Sequence, residues 1–221
     1  MTAPSAVPGS AAAGGFDLAW AGARAEAWDA LLAEAAYANP FHGRAVVEAH
    51  AAAGLGAPRF VAVPRGEGFG ALLPFRSATI GLRRALAAWT GPFVPNGTPL
   101  LGAQEIEANA AALLGAMAAI GPLWRLPFLA LDSAPAQALL AAAGGRGLSC
   151  AVLASFERAV LDREADFDAW ESRHLSTNRR KDLRRRRRRL GELGALEHRT
   201  ATGETLPAAI DAFLDLEASG W

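Results

Sequence analysis

Residues 59–75 read RFVAVPRGEGFGALLPF, two apolar runs on either side of a glycine-rich turn. Runs of this composition favour strands, and RGEG between them is typical of a hairpin turn. Residues 65–70 also fit the letters of an R-x-x-G-x-G phosphate loop, but a loop of that kind leads into a helix. Because a strand-like run follows here, the pattern favours a β-hairpin.

Helical periodicity and further apolar runs surround this hairpin. On the N-terminal side, residues 16–20 predict a strand, and residues 24–36 and 44–53 predict helices. On the C-terminal side the patterns alternate: strand 85–90, helix 104–120, strand 124–131, helix 134–143 and strand 148–154. This order predicts an α/β fold in which a mixed sheet is flanked by helices.

A second pattern begins near residue 156. It predicts a strand at 156–161, helices at 167–175, 178–193 and 205–218, and a short strand at 196–200. Residues 1–15, rich in alanine, proline and glycine, predict a disordered tail. We therefore expect a tail at 1–15, one domain at 16–155 and a second region at 156–221.

Composition limits the possible classes of protein. Cys150 is the only cysteine of the 221 residues, so an intramolecular disulfide or a cysteine-based zinc site cannot form, and we expect a reducing cytoplasm. The four histidines are scattered without metal-ligand spacing, so no metal site is expected. Residues 108–124 are apolar but interrupted by glycine and proline, so we expect no membrane span.

Charge is concentrated in one segment although the formal net charge of the chain is zero. Residues 173–189 hold ten bases against the single acid Asp182, a local charge of +9. Five acids lie just upstream, between residues 162 and 171. Adjacent segments of the chain therefore carry opposite charge.

The basic segment has the signals of a helix over 178–193. Ser176 or Thr177 can cap its start, and Gly194 suits its end. Leucines at 183, 190 and 193 form one narrow stripe, but six consecutive arginines advance about 500° and encircle the helix. Such a helix repels itself, so it needs an anionic companion: the acidic segment 162–171 or an external phosphate. A phosphate ligand is favoured because five acids cannot neutralise ten bases, and arginine binds phosphate through two parallel hydrogen bonds.

Residues 175–194, LSTNRRKDLRRRRRRLGELG, and residues 213–221, FLDLEASGW, resemble the CelD/BcsL-type acyltransferases. These form a GNAT-like group related to the FemAB peptidyltransferases. The resemblance implies two GNAT-like domains in tandem, with residues 16–155 as the first and residues 156–221 as the beginning of the donor-binding second. It also implies that the chain is an N-terminal fragment.

The same resemblance implies transfer of an acyl group from acetyl-CoA or another acyl-CoA to an amine or hydroxyl acceptor, in polysaccharide or cell-envelope metabolism. Arg179, Arg180, Lys181 and Arg184 are the candidate contacts to the phosphates of the donor. Glu217 is the candidate general base. The alternative interpretation is a nucleic-acid-binding module that uses the arginine-rich helix on RNA phosphates.

Overall fold

The computed structural model of the protein describes residues 15–159 and 165–220. It divides the chain into two compact units, Met1–Ala154 and Ser155–Trp221. The predicted tail at 1–15 lies outside the described residues except for Gly15, whose carbonyl accepts a hydrogen bond from Arg59 Nη2 at 2.7 Å. In the part of the chain that the structure describes, no helix has the length and apolarity to span a bilayer.

The first unit is built on a mixed five-stranded sheet in the order β1-β2-β3-β5, with β4 also paired to β2. The strands are β1 (Arg59–Arg65), β2 (Gly68–Ile80), β3 (Arg83–Ala88), β4 (Leu100–Leu101) and β5 (Trp124–Arg125). Strand β2 pairs antiparallel with β1, β3 and β4, whereas β3 and β5 run parallel. The predicted mixed α/β fold is therefore confirmed.

The predicted hairpin is confirmed as β1 and β2. Val63 pairs with Ala71, and the register shifts between Val63 and Pro64. Such a shift accommodates a proline, which has no N–H to donate to the ladder. Gly66 turns the chain with φ at 58°, a conformation that glycine adopts without steric cost. Residues 65–70 thus end one strand, turn at 66–67 and begin the next strand, and they do not open a helix.

Helices cover both faces of the sheet. They are α1 (Leu18–Gly22), α2 (Ala25–Glu34), α3 (Arg44–Ala52), α4 (Ile106–Ile120) and α5 (Ala134–Gly145). Alternate side chains of β1 and β2 enter two separate hydrophobic clusters. Val61 and Leu73 pack with residues of α4 and α5, whereas Phe60 and Leu72 pack with residues of α1, α2 and α3. A sheet with two buried faces requires this α/β/α layering.

Several predicted strands are wrong. Of residues 16–20, only Phe16 pairs like a strand, through backbone hydrogen bonds of 2.9 and 2.8 Å with Phe60. Helix α1 begins at Leu18, because the Asp17 carboxylate caps it by accepting a hydrogen bond from the Trp20 N–H at 2.8 Å. The strand predicted at 124–131 ends at Arg125, and Phe128 takes a positive φ of 55° soon after Pro127. Residues 148–154 and 196–200 are not strands in the described structure. Apolar composition alone does not make a strand when no neighbouring strand completes its hydrogen bonds.

The second unit contains α6 (Phe167–His174), α7 (Thr177–Leu193) and α8 (Leu206–Ala218), with a 3-10 turn at Gly203–Thr205. The three predicted helices are confirmed. The strand predicted at 156–161 is absent from residues 156–159, and positions 160 and 161 lie outside the described residues. None of the described side chains of these three helices is buried.

Candidate anion-binding helix

Helix α7 begins where the sequence predicted. The Ser176 hydroxyl accepts a hydrogen bond from the Arg179 N–H at 3.3 Å, and the helix runs for 17 residues to Leu193. An N-cap of this kind satisfies one of the amides that the first turn leaves free. The cap fixes the residue at which α7 begins. It therefore also fixes where each following basic residue lies around the helix axis.

Arg180 is held by hydroxyl groups and by no carboxylate among the described residues. Its Nη1 donates to Ser172 Oγ at 3.4 Å and its Nη2 to Thr177 Oγ1 at 3.5 Å. Its Nε is buried and has no hydrogen-bond partner among the described residues. Hydroxyl partners leave the positive charge of Arg180 uncompensated while holding the guanidinium in place.

Carboxylates of the same unit compensate part of the helix. The pairs are Arg184 with Glu171 at 3.5 Å, Arg185 with Asp182 at 2.5 Å, Arg186 with Asp182 at 2.8 Å and Arg188 with Glu192 at 3.8 Å. Desolvation raises the pKa of Asp182, but the hydrogen bond from Arg185 and the charges of Arg186 and Arg185 outweigh it. The pKa of this carboxyl is therefore lowered. Three carboxylates therefore form ion pairs with four arginines.

Other cations of α7 have no such partner. Within residues 15–159 and 165–220, no carboxylate lies within ion-pairing distance of Arg179, Lys181, Arg187 or Arg189. At about 100° per residue these four point to different sides of the helix. In the described part of the acidic segment, Glu171 pairs with Arg184 and Asp166 caps α6. Positions 162 and 164 lie outside the described residues.

The four predicted donor contacts differ in their surroundings. Arg179 and Lys181 are exposed and unpaired among the described residues, whereas Arg180 and Arg184 are held by Ser172 and Glu171. Arg180, Lys181 and Arg184 lie within about 100° of one another around the helix axis, and Arg179 lies outside that arc. The helix therefore presents three of the four on one side.

Glu217 lies in the last turn of α8, and its side chain is exposed. Its main-chain carbonyl accepts a hydrogen bond from the Gly220 N–H at 3.2 Å. The side chain has no hydrogen bond or ion pair with another described residue. A general base must reach the proton that it removes, so the role of Glu217 stays a prediction.

Apolar side chains of α7 are also exposed. Leu183, Leu190 and Leu193 retain 39%, 53% and 86% of their accessible surface. The hydrogen bond from Arg180 to Ser172 and the ion pair of Arg184 with Glu171 show that α7 turns Arg180 and Arg184, not this leucine stripe, toward α6. The predicted stripe exists, but within this unit it does not form a buried core.

No family model, curated protein or solved structure matches this chain. The likeness of residues 175–194 to CelD/BcsL-type acyltransferases therefore rests on the sequence itself. Among the described residues, no group of three or more His, Cys, Asp or Glu side chains is placed to hold a metal ion.

Sequence reasoning missed a buried polar cluster in the first unit. His42 is fully buried; its Nε2 lies 3.2 Å from the Trp89 carbonyl oxygen, and its own carbonyl accepts from Trp28 Nε1 at 3.0 Å. Burial lowers the pKa of His42 to about 4, against the opposing effect of the Trp89 and Thr98 carbonyls. The signal in the sequence was a histidine within NPFHG, a turn that also supplies buried Asn39.

Asn39 ties this turn to a second loop. Its Nδ2 donates to the carbonyl oxygen of Thr98 at 2.6 Å and to that of Asn96 at 3.3 Å. The Thr98 hydroxyl in turn accepts from the Ala130 N–H at 3.1 Å. These bonds join three irregular segments of the first unit, and no periodic pattern could have revealed them.

A cleft of about 690 Å³ opens between α2 and the turn of the β1–β2 hairpin. Glu34, Arg65 and Gln104 supply its polar lining. Arg65 Nη2 lies 3.0 Å from a carboxylate oxygen of Glu105, and Arg65 Nη1 donates to the Gln104 carbonyl at 3.2 Å. Arg65, Gly68 and Phe69, which belong to the phosphate-loop-like pattern at residues 65–70, therefore line a cleft.

Proposed function

We propose that this chain is a GNAT-like acyltransferase that takes an acyl group from acetyl-CoA or another acyl-CoA. The observation that carries the proposal is the uncompensated charge of α7, where Lys181, Arg187 and Arg189 have no carboxylate partner among the described residues. Coenzyme A bears a pyrophosphate and a ribose phosphate, which are ligands of the kind that guanidinium groups bind best.

The proposed reaction is direct attack by the acceptor. The lone pair of an amine or hydroxyl forms a bond to the thioester carbonyl carbon, and the carbon–sulfur bond breaks to release the coenzyme A thiolate. A base removes the proton of the acceptor, and Glu217 is proposed for that role. Positioning of donor and acceptor supplies much of the rate in reactions of this type.

The first unit is proposed to bind the acceptor. The cleft beside α2 carries the Glu34 carboxylate, so it offers a partner for an amine. Its apolar lining from Ala27, Ala30 and Phe69 suits the rest of a small molecule. The sequence supports this division of roles only through its likeness to tandem acyltransferases.

Binding of RNA is the second candidate function. It is favoured by the distribution of the free cations around α7, because a helix charged on several sides can contact phosphates of a strand that wraps it. This alternative requires affinity that falls steeply with salt and does not depend on coenzyme A.

Titration of the chain with coenzyme A, with 3′-dephospho-coenzyme A and with an unstructured RNA, each at about 50 mM and about 200 mM salt, separates the two functions. A donor site predicts saturable binding of coenzyme A and weaker binding of the dephospho form. RNA binding without binding of coenzyme A would remove the support for an acyltransferase.

Matched variants test the placement of the site. Lys181→Gln with Arg187→Gln removes two unpaired charges and should weaken coenzyme A binding about tenfold or more. Arg185→Gln with Arg186→Gln removes two charges already paired with Asp182 and should weaken it less. Equal losses in the two double variants would mean that the helix acts through net charge alone.

A further inference from the structure

The β2–β3 hairpin extends beyond the rest of the sheet. Strand β1 begins at Arg59, which pairs with Phe75, so β1 does not extend beside the later residues of β2. From Arg76 to Ile80, β2 pairs only with β3, down to the final pair Ile80 and Arg83. We call residues 76–87 the arm. Its outer part is a two-stranded ribbon.

The base of the arm is held firmly. The Leu86 N–H donates to the Leu123 carbonyl at 2.9 Å, and Leu86 pairs with Trp124 of β5. A Cβ placed on Gly121 would lie 3.0 Å from Leu86 Cδ1, so the segment before β5 packs closely against the arm. The arm is therefore positioned by the sheet at its root.

The tip of the arm is apolar and open to solvent. Gly81 has φ at 58° and occupies the first central position of a two-residue turn, as type II′ hairpins favour. The next residue, Leu82, retains 105% of its reference accessible surface, and half-buried Ile80 precedes the turn. A single exposed leucine is ordinary on a protein surface, so its neighbours decide what it means.

The charged residues near the tip in sequence are all basic. Arg83 and Arg84 follow the tip directly and, as consecutive strand residues, point to opposite faces of the ribbon. Residues 68–104 include three arginines and no acid. None of these arginines has a carboxylate partner in the described part of the chain. The exposed Leu82 is therefore followed by two arginines, Arg83 and Arg84, that have no carboxylate partner among the described residues.

We propose that the arm docks on the surface of an anionic lipid bilayer, with Leu82 entering the acyl boundary and Arg83 and Arg84 contacting lipid phosphates. Each basic residue near an anionic bilayer contributes to binding, and an apolar side chain that leaves water adds to it. This docking needs no membrane-spanning helix, and it does not depend on the proposed acyl transfer.

The geometry limits how deeply the arm enters. The outer edges of a two-stranded ribbon carry unpaired N–H and C=O groups, which are costly to place in hydrocarbon. Only the Leu82 side chain can enter the acyl boundary at low cost. Arg83 and Arg84 lie within about 7 Å of it along the strand, at headgroup level, whereas Arg76 lies farther back.

The test measures partition of the whole chain onto vesicles of phosphatidylcholine with about 30 mol % phosphatidylglycerol, and onto vesicles of phosphatidylcholine alone. The chain should bind the anionic vesicles and not the zwitterionic ones. Leu82→Ser, and separately Arg83→Gln with Arg84→Gln, should each weaken partition about tenfold or more. Far-UV circular dichroism of each variant confirms that the fold is retained.

Two controls remove the same kind of charge elsewhere. Arg76→Gln, on the arm but remote from the tip, should change partition about twofold at most. Arg187→Gln with Arg189→Gln, on α7, should weaken it less than the arm pair does. The proposal is overturned if the chain does not bind anionic vesicles or if Leu82→Ser partitions like the wild type. It is also overturned if the α7 double variant weakens partition as much as the arm double variant does.

An environment-sensitive dye gives an independent measure. Attached through Leu82→Cys in a Cys150→Ser background, it should brighten on anionic vesicles. Attached through Glu67→Cys, in the turn at the other end of β2, it should not change. Brightening at both positions would show a different orientation and overturn docking by the tip.

Discussion

The Nε2 atom of His42 lies 3.2 Å from the carbonyl oxygen of Trp89 in the interior of the first unit. A carbonyl can only accept, so this nitrogen carries the proton of the neutral ring. His42 Nδ1 is buried without a hydrogen-bond partner in the described residues. A second proton would therefore be placed on a nitrogen that is cut off from water.

This environment predicts that the protein loses stability in mild acid. The folded pKa of His42 is lowered to about 4 from the ordinary histidine value of 6.5, so the unfolded chain binds the proton more readily. Stability is full above about pH 6.5 and falls by about 3 kcal/mol as the pH decreases to about 4. Urea denaturation across this range measures the slope. In His42→Gln the slope should be shallower, and an unchanged slope would assign it to other groups.

Gly97 should not tolerate a side chain. A Cβ at this position would meet the Pro127 carbonyl oxygen at 2.0 Å, which is main chain that cannot swing away. Gly97→Ala should destabilise the first unit by about 2 kcal/mol or more, measured by thermal or urea unfolding. Gly91→Ala, in the same loop, meets nothing within 4 Å and is the matched control. Equal effects would mean that the close approach of the two loops is not needed for stability.

Gly70 is limited by one side chain. A Cβ there would lie 2.3 Å from Asn109 Oδ1, and Asn109 is held in place because its Nδ2 donates to the carbonyls of Gly102 and Gln104. Gly70→Ala should cost about 1–3 kcal/mol. In an Asn109→Ala background the added cost should shrink, which a double-mutant cycle of unfolding free energies measures. Additive costs would show that the clash is with something other than Asn109.

The stability of helix α7 should depend on its N-cap and on salt concentration. Ser176→Ala removes the acceptor of the Arg179 N–H and should reduce helix stability by about 1 kcal/mol. Added salt should increase the helical signal, because it screens repulsion between arginines one turn apart. Circular dichroism as a function of salt concentration checks both effects. A helical signal that decreases with salt would mean that the ion pairs of α7 outweigh its repulsion.

The helices were largely predictable because each carries local signals. Ser176 at the start of α7 and Gly194 after its end are recognised without knowledge of any contact. Gly194 has an extended backbone, with φ at 166°, and not the left-handed conformation expected of a glycine that ends a helix. The hairpin of residues 59–75 was predictable for the same reason, since its turn and both strands are adjacent in sequence. The ion pairs of α7 also follow from helical spacing, because Asp182 lies three and four residues before its partners.

The wrong strands were the ones whose partners lie far away in the sequence. Residues 148–154 have a strand-like composition, but a strand needs a neighbour, and composition does not say whether one is present. The length of β2 was underestimated for the opposite reason. Residues 76–80 are not a purely apolar run, and they form strand because β3 returns beside them.

By itself, the sequence determined the mixed α/β class, the positions of most helices and the excess positive charge of α7, because propensity, capping and charge act within a few residues. Only the tertiary structure decided that His42 is buried beside Trp89, that Arg180 is held by hydroxyls and that Leu82 stands in solvent at the tip of the arm. These features depend on which distant segments meet, and desolvation and hydrogen-bond partners exist only after they do.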